Sequence, residues 1–463
     1  MEDVKTLAER LLDTQKNAAA VMQTEEIEKA DAYSEGYKDF LFSCKTEREC
    51  VSFAEKAAKA KGFVPFDKTK KYAPGDRVYF VNRSKAIILC VIGKNSLDNG
   101  VKIVAAHIDS PRIDLKQNPL YEDNELAYFK THYYGGIKKY QWTARPLSLH
   151  GVVMLKNGDK VEVNIGEDEG DPRFVISDLL PHLAKSQMSK KANEVVTGEE
   201  LNILIGSRPF KSDEGSELVK LNVMNILNKK YGMTNSDFLT AELEAVPAGT
   251  VDDIGFDRSM IGGYGHDDRV CSYPALTAIL ECNNPDNTVL CVLTDKEEIG
   301  SEGNTGLKSS YMAYFIADLA RMQGIQAHDI LSKSECLSAD VNAAFDPTFA
   351  GVYEKNNASF INKGVVMTKY TGAGGKSGTS DASAEFVAKM RILFESNGVI
   401  WQAGELGKVD EGGGGTVAKY IANLDVDVVD VGVPVLSMHA PYEVISKIDI
   451  YMAYKAFEAF FKS

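Results

Sequence analysis

The chain has 463 residues, of which 44% are hydrophobic and 25% are charged, and its formal net charge at pH 7 is −14. At roughly 150 residues per domain, this length accommodates two or three domains with a large hydrophobic core. The acidic balance argues against nucleic acid or an anionic membrane as the main partner, because both require a basic surface. No apolar run is long enough to span a bilayer.

The N-terminus and the cysteines together predict the compartment. The opening segment MEDVKTLAERLLDTQ is acidic and has helical periodicity, without the basic and apolar regions of a signal peptide. The seven cysteines are odd in number, contain no CxxC pair and lie mostly in apolar segments, as buried thiols do. We therefore expect a reducing compartment and a cytoplasmic protein.

The first part of the chain changes from helical to strand periodicity. Residues 1–62 show mainly helical spacing of apolar residues, and strands are predicted within 77–93 and at 101–106. His107 and Asp109 come at the carboxyl end of the last of these strands. Because they are two residues apart in extended chain, their side chains are expected to point the same way.

The middle of the chain has a different pattern. From Ile113 to about Ala241, helical periodicity is scarce, and short alternating runs are broken by Gly, Asn and Asp. One helix-like piece, residues 176–185, interrupts this region. Helical patterns return after Phe238, so we interpret the middle as a strand-rich domain inserted into an α/β domain.

The C-terminal half places further acidic residues beside predicted elements. A Gly-rich turn puts Asp267 and Asp268 at the head of a helix, and a buried strand at 288–293 is followed by the adjacent pair Glu297 and Glu298. Asp340 and His439 each follow an apolar stretch, and the remaining helices are predicted at 270–281, 311–322, 383–396 and 448–461.

Polar residues thus gather at the carboxyl ends of predicted strands, where open α/β sheets place their chemistry. The set consists of His107, Asp109, Asp267, Glu297, Glu298, Asp340 and His439. Two imidazoles and several carboxylates suit a divalent metal, zinc first, with manganese or cobalt as alternatives. One metal takes about four ligands, so this many candidates indicates two metals that share a carboxylate. Of two adjacent glutamates, one can bind metal while the other moves protons.

Each candidate also has a simpler interpretation on its own. A histidine at a strand end is usually an ordinary core or surface residue, and Asp267 with Asp268 could be a helix N-cap pair. An isolated pair such as Glu297 and Glu298 is usually a solvated turn. Their joint occurrence at the same end of one predicted sheet favours a two-metal hydrolase.

Five motifs, HIDSPR, GGYGHDDR, DKEEIGSEG, SAD and SMHAPYE, occur in this order. Together they resemble the aspartyl and vacuolar-type aminopeptidase family of di-zinc metallopeptidases, from about residue 10 to the C-terminus, and the second and third motifs are closer to the vacuolar-type branch. The resemblance implies two divalent metals per subunit, one on His107 and Asp340, the other on Glu298 and His439, bridged by Asp267. It also implies that Asp109 orients His107 and that Glu297 is the general base.

The resemblance implies a fold and an assembly as well. The α/β fold would be a zinc-peptidase-like central mixed sheet flanked by helices, formed by residues 1–111 and 241–463. Residues 112–240 would form an inserted β-rich dimerisation domain, and dimers would assemble into a homododecamer that admits short peptides. One histidine of the insert could reach a neighbouring site, and the sequence does not assign which of His132, His150 and His182 it is.

Two alternatives to an aminopeptidase remain open at this point. The N-terminal residue that the enzyme prefers in its substrate is also open. A related di-zinc amidase or aminoacylase would require N-blocked substrates, which an aminopeptidase rejects. A non-catalytic peptidase-like assembly protein would lack some of the ligands, whereas all of them are present here.

Overall fold

The computed structural model describes residues 3–12, 15–372 and 374–463. The segments 1–2 and 13–14, which belong to the predicted N-terminal helical region, lie outside the described residues. Among the described residues, no helix is both long and apolar enough to cross a bilayer.

Helices and strands alternate along most of the chain. The α-helices of the described residues are α1 (Val4–Leu11), α2 (Thr24–Ser43), α3 (Glu47–Ala60), α4 (Lys185–Met188), α5 (Leu218–Tyr231), α6 (His266–Glu281), α7 (Tyr311–Gln323), α8 (Ala327–Leu331), α9 (Ala384–Ser396), α10 (Ala418–Ala422) and α11 (Lys447–Lys462). The strands are β1 (Val64–Pro65), β2 (Arg77–Asn82), β3 (Ala86–Val91), β4 (Val101–His107), β5 (Arg112–Asp123), β6 (Leu126–Tyr134), β7 (Leu147–Met154), β8 (Lys160–Ile165), β9 (Ile203–Gly206), β10 (Ala241–Pro247), β11 (Asp252–Ile254), β12 (Met260–Gly263), β13 (Thr288–Thr294), β14 (Glu335–Ser338), β15 (Asn342–Ala343), β16 (Val365–Thr368), β17 (Trp401–Ala403), β18 (Asp427–Gly432), β19 (Pro434–Val435) and β20 (Glu443–Ser446).

The main sheet is mixed and has nine strands in the order β1-β2-β3-β13-β4-β14-β18-β16-β17. At its centre, β13, β4, β14 and β18 run parallel to one another. Every residue of β4 and of β13 is buried, which explains why their sequences are mostly apolar, because a parallel strand is covered on both faces.

Helices cover both faces of this sheet. Helices α2, α3, α6, α9 and α11 pack on one face, and α7, α8 and α10 pack on the other. Side chains of β4 alternate between the two cores: Val104 and Ala106 face the first, and Ile103 and Ala105 face the second. The predicted α/β fold class, a central mixed sheet flanked by helices, is therefore confirmed.

A second sheet holds the middle of the chain. It has six antiparallel strands in the order β8-β7-β10-β5-β6-β9, with a core of its own that includes Phe129, Trp142 and Phe238. The strand Ala241–Pro247 pairs with β5 and β7, so this sheet extends past the boundary predicted at residue 240. The alternating start of β10, AELEA, is compatible with an antiparallel strand, but periodicity does not reveal which sheet a strand joins.

The single helix predicted for the middle region, at 176–185, was wrong. Residues 176–184 are not helical, and only Lys185–Met188 forms a short helix. Ile176 is buried, but Leu179 and Leu183 are exposed and find no core to pack against. Helix α5, by contrast, was not predicted, and it packs on the six-stranded sheet through Val219 and Val223.

Candidate metal centre

Three neighbouring parallel strands bring most of the candidate residues to one edge of the main sheet. His107 ends β4, Glu297 and Glu298 lie in a short 3-10 turn after β13, and Asp340 follows β14. Because β13, β4 and β14 are adjacent and parallel, their carboxyl ends meet. Helix α6 begins at the same edge and adds Asp267, and the loop between β19 and β20 adds His439.

Asp267 lies between the two histidines. Its Oδ1 is 3.1 Å from Nε2 of His107, and its Oδ2 is 3.1 Å from Nε2 of His439. Burial raises the pKa of the Asp267 carboxyl, but contacts with the two imidazoles lower it overall, so this carboxylate is ionised. One carboxylate that presents a separate oxygen to each of two ligand groups has the arrangement that a bridging carboxylate needs.

Two groups of ligand atoms flank Asp267. On one side, Nε2 of His107 is 3.8 Å from Oδ1 of Asp340. On the other side, Nε2 of His439 is 3.5 Å from Oε2 of Glu298. Three sets of three residues each have donor atoms that lie within 4.8 Å of one another inside the set. The sets are His107 with Asp268 and Asp340, His107 with Glu297 and Glu298, and Asp267 with Glu298 and His439.

The buried oxygens of this cluster fit a divalent cation. Oδ1 of Asp268 and Oε1 of Glu298 are buried without a hydrogen-bond partner. Buried carboxylate oxygens are normally paired with a donor or a cation. Imidazole nitrogens and carboxylate oxygens in one cluster are the donor set that zinc and related divalent metals take.

The electrostatics of the cluster also favour a cation. Burial raises the pKa of Asp268, Glu298 and Asp340. Nearby negative charge acts in the same direction on Asp268 and Glu298. Burial would lower the pKa of His439, but the contact with Asp267 and the charge of Glu298 raise it to about 11. The cluster has more carboxylates than imidazoles, and a bound cation would relieve the repulsion between the carboxylates.

Asp109 lies behind the cluster and contacts His107 in two ways. It is fully buried; its backbone carbonyl lies 3.0 Å from Nδ1 of His107, and its Oδ1 lies 3.3 Å from the same nitrogen. The backbone N–H groups of Glu297 and Glu298 donate to Oδ1 and Oδ2 at 3.1 and 3.2 Å, and the Tyr134 hydroxyl donates to Oδ2 at 2.8 Å. One carboxylate therefore holds both a histidine and the glutamate turn.

Sequence reasoning missed residues that hold the cluster from behind. The fully buried Asp268, considered only as a cap, contributes to one donor set, and the peptide bond that joins it to Asp267 is cis. Glu443 accepts hydrogen bonds from the backbone N–H of Asp267 at 3.1 Å and of His439 at 2.7 Å. Its position four residues after His439, inside the last motif, was the one available signal.

The cluster opens into a cavity of about 490 Å³. Glu297, Glu298 and Asp340 lie on its wall together with Gly136 of the loop after β6. The lining also includes Thr368, Thr371, Thr416, Lys419 and Asp430. A cavity of this size accommodates an amino-acid side chain and the adjoining peptide bond.

Of the three histidines in the middle region, the structure excludes His150 from reaching a neighbouring subunit. Its ring is buried, with Nδ1 2.8 Å from Oε1 of Glu49 and Nε2 3.1 Å from Oγ of Ser148. His132 and His182 are exposed.

A mixed sheet with a cluster of imidazoles and carboxylates at its carboxyl edge defines a metal-dependent hydrolase with an α/β fold. Comparison with known proteins identifies the family. Residues 40–461 match the model of the aminopeptidase I zinc metalloprotease family, M18. The chain is 48% identical over 458 residues to a probable M18 family aminopeptidase 1 of Clostridium acetobutylicum, covering 97% of this chain and 98% of the relative.

Solved structures agree with this assignment. The crystal structure of an M18-family aminopeptidase from Thermotoga maritima superposes with a TM-score of 0.93 at 44% identity, covering 97% of this chain and 99% of that chain. A yeast relative solved as a dodecamer shares the fold, with a TM-score of 0.76 at 21% identity, covering 94% of this chain and 97% of that chain. The chain therefore belongs to the M18 family, and it is a zinc aminopeptidase, a hydrolase.

Proposed function

We propose that this aminopeptidase works with a two-metal centre and a glutamate general base, and that it removes the N-terminal residue of short peptides. The observation that carries the proposal is the position of Asp267, which turns one carboxylate oxygen to His107 and the other to His439, each at 3.1 Å. A single-metal site has no need of a carboxylate shared in this way.

The ligands divide into two sets around Asp267. His107 and Asp340 would hold one ion, and Glu298 and His439 would hold the other. The short distances within each set, 3.8 and 3.5 Å, and the unpaired Oε1 of Glu298 support this division. When bound, divalent ions supply an activated water and polarise the substrate carbonyl.

Glu297 would move the protons of the reaction. It lines the cavity, and its backbone N–H is held by Asp109, so its side chain faces the metal ligands from a fixed turn. Burial raises its pKa to about 8, with His107 opposing this shift and Asp340 adding to it. Bound cations would favour the ionised form. The Glu297 carboxylate would take a proton from the attacking water and pass it to the nitrogen of the leaving amine.

The test compares metal content and substrate preference. Two zinc ions per subunit by elemental analysis, and chelator-sensitive cleavage of free aminoacyl arylamides but not of their N-acetyl forms, are expected. One zinc ion per subunit would overturn the two-metal assignment. Cleavage confined to N-acetyl substrates would favour the amidase.

A substitution tests the base. Glu297→Gln should keep both metals and lower kcat by about 10²- to 10⁴-fold. Glu302→Gln, on the exposed side of the same loop, serves as the control and should keep full activity. Near-normal turnover of the Glu297→Gln enzyme would refute its role as base.

We also propose a dodecamer built from dimers through residues 112–240, and a cytoplasmic location. The shared fold of the yeast dodecamer supports the assembly, and the seven cysteines, all free and buried, are consistent with a reducing compartment. Light scattering at working concentration should give the mass of twelve subunits. A monomer or dimer mass would contradict the assembly.

A further inference from the structure

The metal centre is contacted by a segment that does not belong to the main sheet. This YGG segment, Tyr134, Gly135 and Gly136, ends β6 of the six-stranded sheet and continues into the following loop. Each of its three residues lies against a different group of the centre.

Tyr134 supports Asp109 and, through it, His107. Its hydroxyl donates to Oδ2 of Asp109 at 2.8 Å. The guanidinium of Arg112 lies 3.9 Å from the centroid of the Tyr134 ring and holds the ring in place. Burial raises the pKa of the Tyr134 hydroxyl, and the charge of Asp109 adds to the shift, so the hydroxyl stays protonated and remains a donor.

Gly136 orients the other histidine directly. The backbone carbonyl of Gly136 lies 2.8 Å from Nδ1 of His439, so Nδ1 carries the proton and donates it. Nε2, on the side of Asp267 and Glu298, is therefore the nitrogen that would bind a metal once it has lost its proton. A hydrogen bond of this kind fixes the tautomer and the ring orientation of a metal-binding histidine.

The two glycines allow the backbone to approach this closely. A Cβ on Gly135 would lie 3.3 Å from Cβ and Oε2 of Glu298, and the positive φ of +76° also favours glycine. A Cβ on Gly136 would lie 3.3 Å from Nδ1 of His439. Side chains at these positions would press on a ligand.

We propose that the YGG segment is a positioning element of the metal centre, which rests on the two-metal function proposed above. The six-stranded sheet thereby orients His107 through Asp109 and His439 through Gly136. Metal affinity therefore depends on the middle region of the chain, although every proposed ligand lies outside it. None of the three residues is catalytic. Tyr134 acts through Asp109, and the two glycines act through the proposed metal ligands Glu298 and His439.

The first test measures zinc affinity by competition with a chromophoric chelator. Tyr134→Phe removes the hydroxyl and keeps the ring, and we expect the zinc Kd to rise about 10- to 100-fold. Tyr133→Phe, at an exposed neighbour on the same strand, is the control and should leave the Kd unchanged. The metal-free Tyr134→Phe protein should melt in a single cooperative transition, which shows that it is folded, at a lower temperature than the control because it has lost a buried hydrogen bond. A Kd for Tyr134→Phe equal to that of the control would overturn the role of Tyr134.

The second test addresses His439 independently. Gly136→Ala adds a methyl group against Nδ1 of His439 where the backbone φ does not itself require glycine, so we expect weaker binding of one of two zinc ions. Gly351→Ala, where a Cβ meets nothing within 4 Å, is the matched control. If both alanine variants bind zinc like the wild type, the positioning role of Gly136 is wrong. Wild-type protein that binds one zinc ion or none would instead refute the two-metal function itself.

Discussion

Substituting Asp109 by asparagine tests how the protein holds its catalytic turn. The carboxylate is fully buried, and its two oxygens accept from the N–H groups of Glu297 and Glu298 and from the hydroxyl of Tyr134. Asparagine keeps the shape of the side chain but has only one acceptor oxygen, and its NH2 group faces a donor in either orientation. In the less costly orientation the NH2 group takes the position of Oδ1, and only the Glu297 N–H is left without an acceptor. An orphaned buried donor costs about 1–3 kcal/mol, so the unfolding free energy should fall by about that amount.

The assay is urea unfolding of the metal-free protein. Asp98→Asn is the control, because Asp98 is exposed and pairs with the exposed Lys333, so its change should stay within about 0.5 kcal/mol. In the metal-loaded protein, Asp109→Asn should also weaken zinc binding, because Nδ1 of His107 loses a negative partner at 3.3 Å. An unfolding midpoint and a zinc affinity both equal to those of the control would refute the reasoning.

Two further predictions concern the metal site and the response to pH. His439→Ala should lower the zinc content from two to one per subunit, and an unchanged content would remove His439 from the ligands. Burial raises the pKa of Asp253, but Lys447, Lys38 and Arg258, at 3.0–3.1 Å, lower it to about 2. Because the folded pKa lies below the unfolded value, this stability is present above about pH 4 and is lost as the pH falls toward 2. Asp253→Asn should therefore cost about 2 kcal/mol in urea unfolding at pH 7 and progressively less below pH 4; a cost that did not vary with pH would contradict this.

The sequence alone determined the elements that carry the candidate site. His107, Glu297, Glu298 and Asp340 all follow apolar runs that form strands β4, β13 and β14, and burial on both faces makes such runs recognisable. Since parallel strands end at one edge of a sheet, their convergence could be predicted without knowing the strand order. The five motifs then indicated the family, which the comparisons confirmed.

Only the tertiary structure decided how the cluster is held. Tyr134 reaches the centre from a second sheet and Gly136 from the loop after it, and Glu443 joins His439 to the distant Asp267; no local periodicity records such long-range contacts. The exposed apolar residues of 176–185 show the converse, because a helical pattern forms a helix only where a core exists to bury its apolar face. Residue patterns along the chain indicate which side chains become buried and where strands end. Strand order and long-range hydrogen bonds decide which groups meet, and both depend on the packing of the whole chain.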